Sequence, residues 1–427
     1  MQVIEYPTKE QWKTILKRPE QNTAMVEQGV REILFDVKTN GDKAIKKYTR
    51  ALDGVQLDSF LVDKQTIQEA AENVTPALKT AIKQAAENIT KFHNLQIPQE
   101  IEVEVQPGLI CKQRSVPLEK VGIYIPGGTA PLFSSVLMMA IPAKIAGCKE
   151  VNLFTPPGKS GSIDPSILHA ASVSGVNKIY QVGGAQAIAA MAYGTESIPC
   201  VDKILGPGNQ YVTQAKQQVN ASGIAIDMPA GPSEVMILAD STASPEYVAA
   251  DLLAQAEHGP DSQVFLLTND SMLPGKVNDQ INTFLKRLSR AEIAKEALSN
   301  SKIIVLNSEE ELMEMSNMYA PEHLIIATQN TEEMADKVIN AGSVFLGVNT
   351  PESLGDYASG TNHVLPTDGT AKAYSGVNLE TFMKKITFQK ATKEGLKSIG
   401  KTVMNMAEAE QLEAHKLAVE IRMNSND

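Results

Sequence analysis

The sequence predicts an α/β protein with two Rossmann-like βα blocks that lack a G-x-G-x-x-G loop, a helical N-terminal segment and a helical C-terminal tail. Short apolar runs such as VGIYI, EVNLF and VFLLT alternate with helical stretches, which is typical of a parallel sheet covered on both faces. Glycine-rich turns follow several of these runs. With 427 residues the chain is long for a single core, so two or more domains are expected.

Composition and charge exclude several classes of protein. Hydrophobic residues make up 43% and charged residues 21% of the chain, as in an ordinary globular protein. The net charge is −11 and no block of Lys or Arg occurs, which argues against nucleic acid or an acidic membrane as a partner. No signal peptide and no membrane-spanning run is visible. The three cysteines are far apart, so a reducing, cytoplasmic location is predicted.

The pattern divides the chain into four segments. Residues 1–117 are predicted to be mainly helical, with a helix break at Asn40-Gly41 and His93 at an exposed helix end. A strand closes this segment, because Ile101, Val103 and Val105 alternate with glutamates. The two βα blocks follow at 118–232 and 233–373, and the helical tail occupies 374–427.

The second block ends in residues 349–373, which the sequence predicts to be a long polar loop. A loop of this length without structure of its own is usually functional in a compact protein.

Three turns of the first block are rich in glycine: Gly127-Gly128, Gly183-Gly184 and Gly206-Pro207-Gly208. Each follows a predicted strand and precedes a helix, so each could bring the phosphate of a cofactor to a helix N-terminus. Glycine is also common in ordinary strand-to-helix turns. A nucleotide site in this block and ordinary turns are therefore both open.

The stretch LLAQAEHGPD places Gln255 and His258 three residues apart on what is predicted to be the last turn of a helix. Ser244 is a good N-cap for that helix and Pro245 fits its first position. Residues three apart are neighbours on a helix surface, so the two side chains could reach one metal ion. The alternative is a hydrogen-bonded histidine in the core.

Further polar groups lie in the second block. Glu322 and His323 adjoin each other before a predicted strand and could supply two proton acceptors, or they could form a solvated turn. Asp356 and His363 lie on the predicted long loop. Asp356 is either an oxygen ligand of a metal or a residue that forms a turn. His363 is either a site residue or merely the cap of a strand.

His415 lies in the tail on a helical face that it shares with Leu412 and Val419, a position that is more often core than ligand. Together with three residues of the second block it completes an N/O ligand set for zinc or a similar divalent metal. Spacing alone does not establish that set, which is Gln255, His258, Asp356 and His415.

Eight motifs in chain order resemble those of the histidinol dehydrogenase family. They run from about Asn40 to the C-terminus, and as an ordered set they are highly specific. The motifs are VGIYIPGG, VGGAQAIAA, ILGPGNQYV, DMPAGPSE, LLAQAEHGPD, YAPEHL, GDYASGTNHVLPT and EAEQLEAHKLAV.

The resemblance implies a zinc-dependent oxidoreductase that converts L-histidinol to L-histidine through L-histidinaldehyde with two NAD, in the last steps of histidine biosynthesis. It implies one zinc ion per subunit, held by Gln255, His258, Asp356 and His415. Glu322 and His323 match the acid/base pair of the family. Tyr124, Gln186 and Asn209 match positions that contact NAD. The implied substrate contacts are Ser233, His323, His363 and Glu410 together with the four metal ligands.

The resemblance also implies a homodimer in which the tail crosses to the partner subunit. Glu410 and His415 would then complete the site of the other chain. The sequence departs from the family pattern at Gln411, where the family often has glycine, and this departure puts the placement of Glu410 in doubt.

Two other functions remain open from the residues alone. A zinc hydrolase would use Glu322 to activate a metal-bound water and would need no NAD. A two-lobed protein that binds a small molecule without catalysis is the second alternative. The pairing of Glu322 and His323 beside a metal set argues against it.

Overall fold

The structure, a computed structural model, describes residues 1–19, 24–127, 130–228 and 231–425. The chain divides into two compact units, the first formed by Met1–Gln96 and Glu119–Phe382, the second by Ile97–Leu118 and Met383–Asp427. The division into four segments that the sequence predicts stays a prediction. Gly128, in the first predicted glycine-rich turn, lies outside the described residues.

The described residues contain strands in both units. They are β1 (Gln2–Glu5), β2 (Ile101–Gln106), β3 (Leu109–Pro117), β4 (Lys120–Tyr124), β5 (Glu150–Phe154), β6 (Lys178–Tyr180), β7 (Lys203–Leu205), β8 (Ala225–Ile226), β9 (Glu234–Ala239), β10 (Gln263–Thr268), β11 (Lys302–Val305), β12 (His323–Ala327), β13 (Ser343–Leu346) and β14 (Met383–Ala391).

The α-helices of the described residues are spread along the whole chain. They are α1 (Lys9–Ile15), α2 (Ala24–Tyr48), α3 (Lys64–Glu72), α4 (Pro76–Asn94), α5 (Phe133–Ala146), α6 (Pro165–Val173), α7 (Gly184–Tyr193), α8 (Gln210–Ala221), α9 (Pro245–Ala256), α10 (Leu273–Leu285), α11 (Ala291–Ser299), α12 (Glu309–Tyr319), α13 (Thr331–Ala335), α14 (Glu352–Tyr357), α15 (Lys393–Ala409) and α16 (Glu413–Met423). Within the described part of the chain, none of them has the length and apolar character needed to cross a membrane.

The first unit contains a parallel sheet of five strands in the order β6-β5-β4-β7-β8. The chain leaves β4 toward one side for β5 and β6, and later returns to the other side for β7 and β8. Such a reversal of strand order opens a crevice beyond the carboxyl ends of the two central strands, here β4 and β7. This confirms the parallel βα block that the sequence predicts.

The second sheet of this unit has six parallel strands in the order β1-β11-β10-β9-β12-β13. Side chains of a strand alternate between the two faces of a sheet. Accordingly Val235 and Ile237 of β9 pack into one apolar cluster, while Met236 and Leu238 pack into another. A strand buried on both faces reads as a continuous apolar run, which is why EVMILA carries no alternation.

Two features of the N-terminal segment differ from the prediction. Strand β1 pairs in parallel with β11 and was not predicted. His93 was predicted to face solvent, but it is fully buried and its Nδ1 donates to the carbonyl of Ile89 (2.8 Å), because α4 packs against α5. The predicted break in α2 is confirmed at Gly41, where φ is 49°.

The segment 349–373 was predicted to be a loop without structure of its own. It contains the helix α14 instead. Pro351 precedes this helix in extended conformation, and Glu352 is its first residue. A further 3₁₀ turn covers Thr370–Lys372. The helix places Glu352 and Asp356 one turn apart on one face.

The second unit consists of an antiparallel sheet in the order β14-β3-β2 and of the helices α15 and α16. Strand β2 lies where the alternating pattern predicts a strand. Strand β14, at the start of the tail, was not predicted. Gln411 lies between α15 and α16 with φ 60°, a left-handed conformation that favours glycine.

Candidate active site

A cavity of about 160 Å³ lies in the first unit, between the carboxyl edge of the five-stranded sheet and the amino edge of the six-stranded sheet. Gly206 and Asp227 of its lining follow β7 and β8. Ser233 and Glu322 precede β9 and β12. The structure therefore brings parts of both βα blocks to one cavity.

Glu322 and His323 lie in this cavity, where β12 begins beside β9, and only 6% and 3% of their surfaces are exposed. The main chain of Glu234 contacts both side chains. Its N–H donates to Oε2 of Glu322 (2.8 Å), and its carbonyl accepts from Nδ1 of His323 (3.0 Å). Nε2 of His323 has no hydrogen-bond partner among the described residues and lies 3.7 Å from Oδ1 of Asp356.

The protonation of the pair follows from burial. Desolvation lowers the pKa of His323 to about 4, although Asp356 acts in the opposite direction, so the imidazole is neutral near neutral pH. Desolvation raises the pKa of Glu322 well above its usual range, while the N–H of Glu234 opposes this shift. A neutral imidazole with a free ring nitrogen is able to accept a proton.

A possible metal site adjoins the pair. His258, Glu352 and Asp356 each offer one ligand atom, and these atoms lie within 4.8 Å of one another. Nitrogen and carboxylate oxygen are the ligands that zinc prefers besides thiolate. Oε2 of the buried Glu352 has no partner among the described residues, and a cation at this point would satisfy it. The donor set therefore fits a divalent metal ion.

Gln255 is buried at the end of α9, and its carboxamide adjoins both Glu352 of the candidate ligand cluster and the Glu322–His323 pair. Its Nε2 is 3.4 Å from Oε2 of Glu322 and 3.5 Å from Nδ1 of His323. With the amide turned over, the nitrogen donates to Glu352 and the oxygen accepts from the N–H of Glu234 (3.0 Å). His258 does not share the helix with Gln255 but follows its end, in a turn.

His363 is fixed at both ring nitrogens beside the same cavity. Nδ1 donates to the carbonyl of Asp356 (2.7 Å), so Nε2 accepts from the hydroxyl of Ser135 on α5 (2.9 Å). Burial lowers the pKa of His363, which keeps the ring neutral. Asp356 is thereby tied by its main chain to one histidine while its side chain faces another.

The three residues expected to contact NAD lie at the carboxyl edge of the five-stranded sheet. Tyr124 ends β4, and its hydroxyl accepts from the N–H of Gly184 (3.0 Å). Gln186 is fully buried on α7, and neither atom of its amide has a partner among the described residues. Asn209 is the N-cap of α8, and its side chain accepts from the N–H groups of Tyr211 and Val212.

The turn at Gly206 approaches β4 closely. Its φ is 125°, and a Cβ at this position would overlap the carbonyl oxygen of Tyr124. The turn is held by Asp227, which accepts from the N–H of Gly206 (2.8 Å) and forms a buried ion pair with Lys216 (2.5 Å). Only glycine fits here, because any side chain would collide with β4.

Two of the predicted site residues lie in the second unit and not in this cavity. Glu410 is the C-cap of α15, and His415 lies on α16 with its side chain exposed. The interpretation of His415 as a core residue is therefore wrong for this unit.

Sequence reasoning missed three features of the site. They are Glu352, which lies in a stretch predicted to be a polar loop, and Ser135, which lies inside an apolar helix. The third is Glu234, whose contacts to Glu322 and His323 come from its main chain. Of these only Glu352 carried a signal, since it precedes Asp356 by the four-residue spacing of one helix face.

Comparisons with known proteins give the family. A sequence model of histidinol dehydrogenase matches residues 16–423. A histidinol dehydrogenase of Bacteroides thetaiotaomicron is 56% identical over 425 residues, which is 100% of this chain and 99% of that protein. One from Aliivibrio fischeri is 51% identical over 413 residues, 96% of this chain and 93% of the relative.

A solved structure agrees with the sequence relatives. The crystal structure of histidinol dehydrogenase from Elizabethkingia anophelis superposes with a TM-score of 0.97 and 52% identity, covering 99% of this chain and 98% of that one. Together these matches show that this chain belongs to the histidinol dehydrogenase family of oxidoreductases.

Proposed function

We propose that this protein oxidises L-histidinol to L-histidine through L-histidinaldehyde, using two NAD and one water. The observation that carries the proposal is Nε2 of His323, which has no partner among the described residues and lies in a cavity that Glu322, His258 and Asp356 also line. Removing four electrons from a primary alcohol requires a base that takes up hydroxyl protons as hydride leaves the carbon. It also requires a second group that activates water. The pair offers both.

The metal would be held by Gln255, His258 and Asp356 with His415 of the partner subunit, and Glu352 adjoins this set. When bound, zinc would fix the imidazole and amino groups of the substrate, and NAD would accept the hydride. Tyr124, Gln186 and Asn209 are the proposed contacts to NAD. Ser233, His363 and Glu410 of the partner subunit are proposed to contact substrate with the metal ligands and His323.

In the first oxidation, Nε2 of His323 takes the proton of the substrate hydroxyl as hydride leaves the same carbon. The nearby carboxylate of Asp356 then stabilises the imidazolium, because its Oδ1 is 3.7 Å from Nε2. The product of this step is the aldehyde, which carries two electrons fewer than the alcohol.

In the second oxidation, Glu322 takes a proton from water as the water oxygen adds to the aldehyde carbon. His323 returns its first proton to the aldehyde oxygen, which completes the hydrate, and then takes a hydroxyl proton of the hydrate as the second hydride leaves. Ionisation of the resulting acid gives the carboxylate. Glu322 must be ionised for its role, and the N–H of Glu234 stabilises that form. Over both steps one alcohol and one water give one carboxylate, two hydrides and three protons.

The proposal includes a cytoplasmic homodimer in which the tail of each chain completes the site of the other. The single most informative experiment is a metal analysis of the purified protein combined with an assay of NAD reduction on addition of L-histidinol. We expect bound zinc and two NADH for each histidine formed. Zinc without histidinol-dependent NADH would instead support a zinc hydrolase.

A further inference from the structure

The main chain of a single residue, Glu234, holds both members of the acid/base pair. Its N–H donates to Oε2 of Glu322 (2.8 Å), and its carbonyl accepts from Nδ1 of His323 (3.0 Å). A small rotation of this peptide would therefore turn the carboxylate and the imidazole together. What fixes residue 234 also fixes the geometry of the pair.

The side chain of Glu234 is anchored by Arg18, a residue far away in the sequence. Nε of Arg18 donates to Oε1 of Glu234 (2.5 Å) and Nη2 of Arg18 donates to Oε2 (2.9 Å), which is a bidentate pair. Only 3% of the Glu234 side chain is exposed. The N–H of Asp368 adds a further bond to Oε1 (3.1 Å). A carboxylate buried in this way stays in place only while its partner does.

Arg18 also holds the segment that leads to Glu322. Its Nη2 also donates to the carbonyl of Tyr319 (3.0 Å), and the central carbon of its guanidinium lies 3.9 Å from the centre of the Tyr319 ring. Tyr319 ends α12, three residues before Glu322. Arg18 thus links Glu234, whose main chain holds the pair, to the segment that carries the pair, yet it does not line the cavity.

We propose that Arg18 is a positioning residue, which fixes the peptide of Glu234 and through it the orientation of Glu322 and His323. This inference rests on the proposed acid/base function of that pair. It does not place Arg18 in contact with substrate or cofactor. A guanidinium is needed because an ammonium group cannot donate to both oxygens in a fixed plane while stacking on a ring.

The test is the Arg18→Ala variant of the full-length, metal-loaded enzyme. We expect kcat for histidinol to fall by on the order of 10²-fold, because small misplacement of reacting groups has effects of that size. The KM values for histidinol and NAD should stay within about twofold, since the cavity lining is unchanged. The kinetic isotope effect with histidinol deuterated at the reacting carbon should rise, because the chemical step becomes slower relative to product release.

Two companion variants separate positioning from general stability. Leu16→Ala removes a buried side chain of the same segment without touching Glu234 and should lower the melting temperature while leaving the isotope effect unchanged. Added methylguanidinium should restore part of the kcat of Arg18→Ala but none of the activity lost in Leu16→Ala. Should Arg18→Ala fail to fold, Arg18→Lys and Glu234→Gln are expected to show the same rise in isotope effect.

The outcomes distinguish this inference from the proposed function. If His323→Asn and Glu322→Gln are impaired but a folded Arg18→Ala or Arg18→Lys keeps the parent kcat and isotope effect, the positioning role is wrong. If His323→Asn and Glu322→Gln keep full activity, the proposed function of the pair is wrong, whatever Arg18→Ala does. A fall in kcat that matches the loss of folded protein, with the parent isotope effect, would reduce Arg18 to a stabilising residue.

Discussion

Nδ1 of His323 lies 3.0 Å from the carbonyl oxygen of Glu234. Because a carbonyl only accepts hydrogen bonds, the ring proton of the neutral imidazole is on Nδ1, and Nε2 carries a lone pair. Burial lowers the pKa of this ring to about 4, so the lone pair is available throughout the neutral range. The imidazole can take up a proton at Nε2 without changing its tautomer.

Replacing Glu322 by Gln should impair oxidation of the aldehyde more than oxidation of the alcohol. The amide keeps the size of the side chain but cannot take a proton from water, a loss worth about 10²-fold or more for a general base. Single-turnover rates with histidinol and with histidinaldehyde measure the two steps separately. Equal losses in both would contradict the proposed division between Glu322 and His323.

Replacing His258 by Asn should remove metal and activity together. His258 is one of the three residues whose ligand atoms cluster, and loss of a ligand from a four-coordinate site weakens binding strongly. Metal content per subunit and NAD reduction would be measured on the same sample. His169→Asn on α6, outside the cavity, is the matched control. An active, metal-free His258→Asn enzyme would exclude this residue from the ligand set.

Replacing Glu352 by Gln should lower metal affinity by about 10–100-fold, the usual effect of a group that supports the ligands. Oε2 of Glu352 has no partner among the described residues, and burial together with Asp356 and Glu322 raises the pKa of Glu352 well above its usual range. A chelator competition measures the affinity. The control variant is Glu246→Gln, at the exposed opposite end of α9, which should keep the parent metal affinity. If Glu352→Gln had the same metal affinity as Glu246→Gln, Glu352 would have no part in metal binding.

Replacing Asp251 by Asn should stabilise the fold, but only at higher pH. Burial raises the pKa of Asp251 to about 7, above its unfolded value of 3.8, so the ionised form is unfavourable in the folded state. The gain should be near zero at about pH 4 and reach about 2–4 kcal/mol at about pH 8, since one pKa unit corresponds to about 1.4 kcal/mol. Urea unfolding at both pH values measures the free energy of unfolding. A gain independent of pH would refute the assignment.

Replacing Gly206 by Ala should destabilise the protein by about 2–4 kcal/mol and weaken NAD binding, because its Cβ would overlap the carbonyl of Tyr124 and its φ disfavours side chains. Gly29→Ala on α2 meets no atom within 4 Å and should be neutral or slightly stabilising. Melting temperature and the KM for NAD measure both effects. A Gly206→Ala enzyme with parent values would show that the turn can move away from β4.

The sequence predicts the parallel sheets well, because buried parallel strands are continuous apolar runs. It does not predict β1, whose four residues form an edge strand that depends on β11 for pairing. It fails at His93, because the packing of α5 on α4 is not visible in the pattern of α4 alone. It also does not predict that Glu352 belongs to the site, because the pattern of this polar stretch predicts a loop. In the structure this stretch forms α14, which buries Glu352.

The cavity lies between the amino edge of one sheet and the carboxyl edge of the other, and this arrangement has an electrostatic consequence. At the amino edge of the six-stranded sheet, α9 ends beside the cavity, so the negative end of its dipole favours a cation. At the carboxyl edge of the five-stranded sheet, α7 and α8 begin, and their positive ends favour phosphate. The direction of the backbone would thus favour the proposed metal ion and the proposed dinucleotide on opposite walls of the cavity, before any side chain selects them.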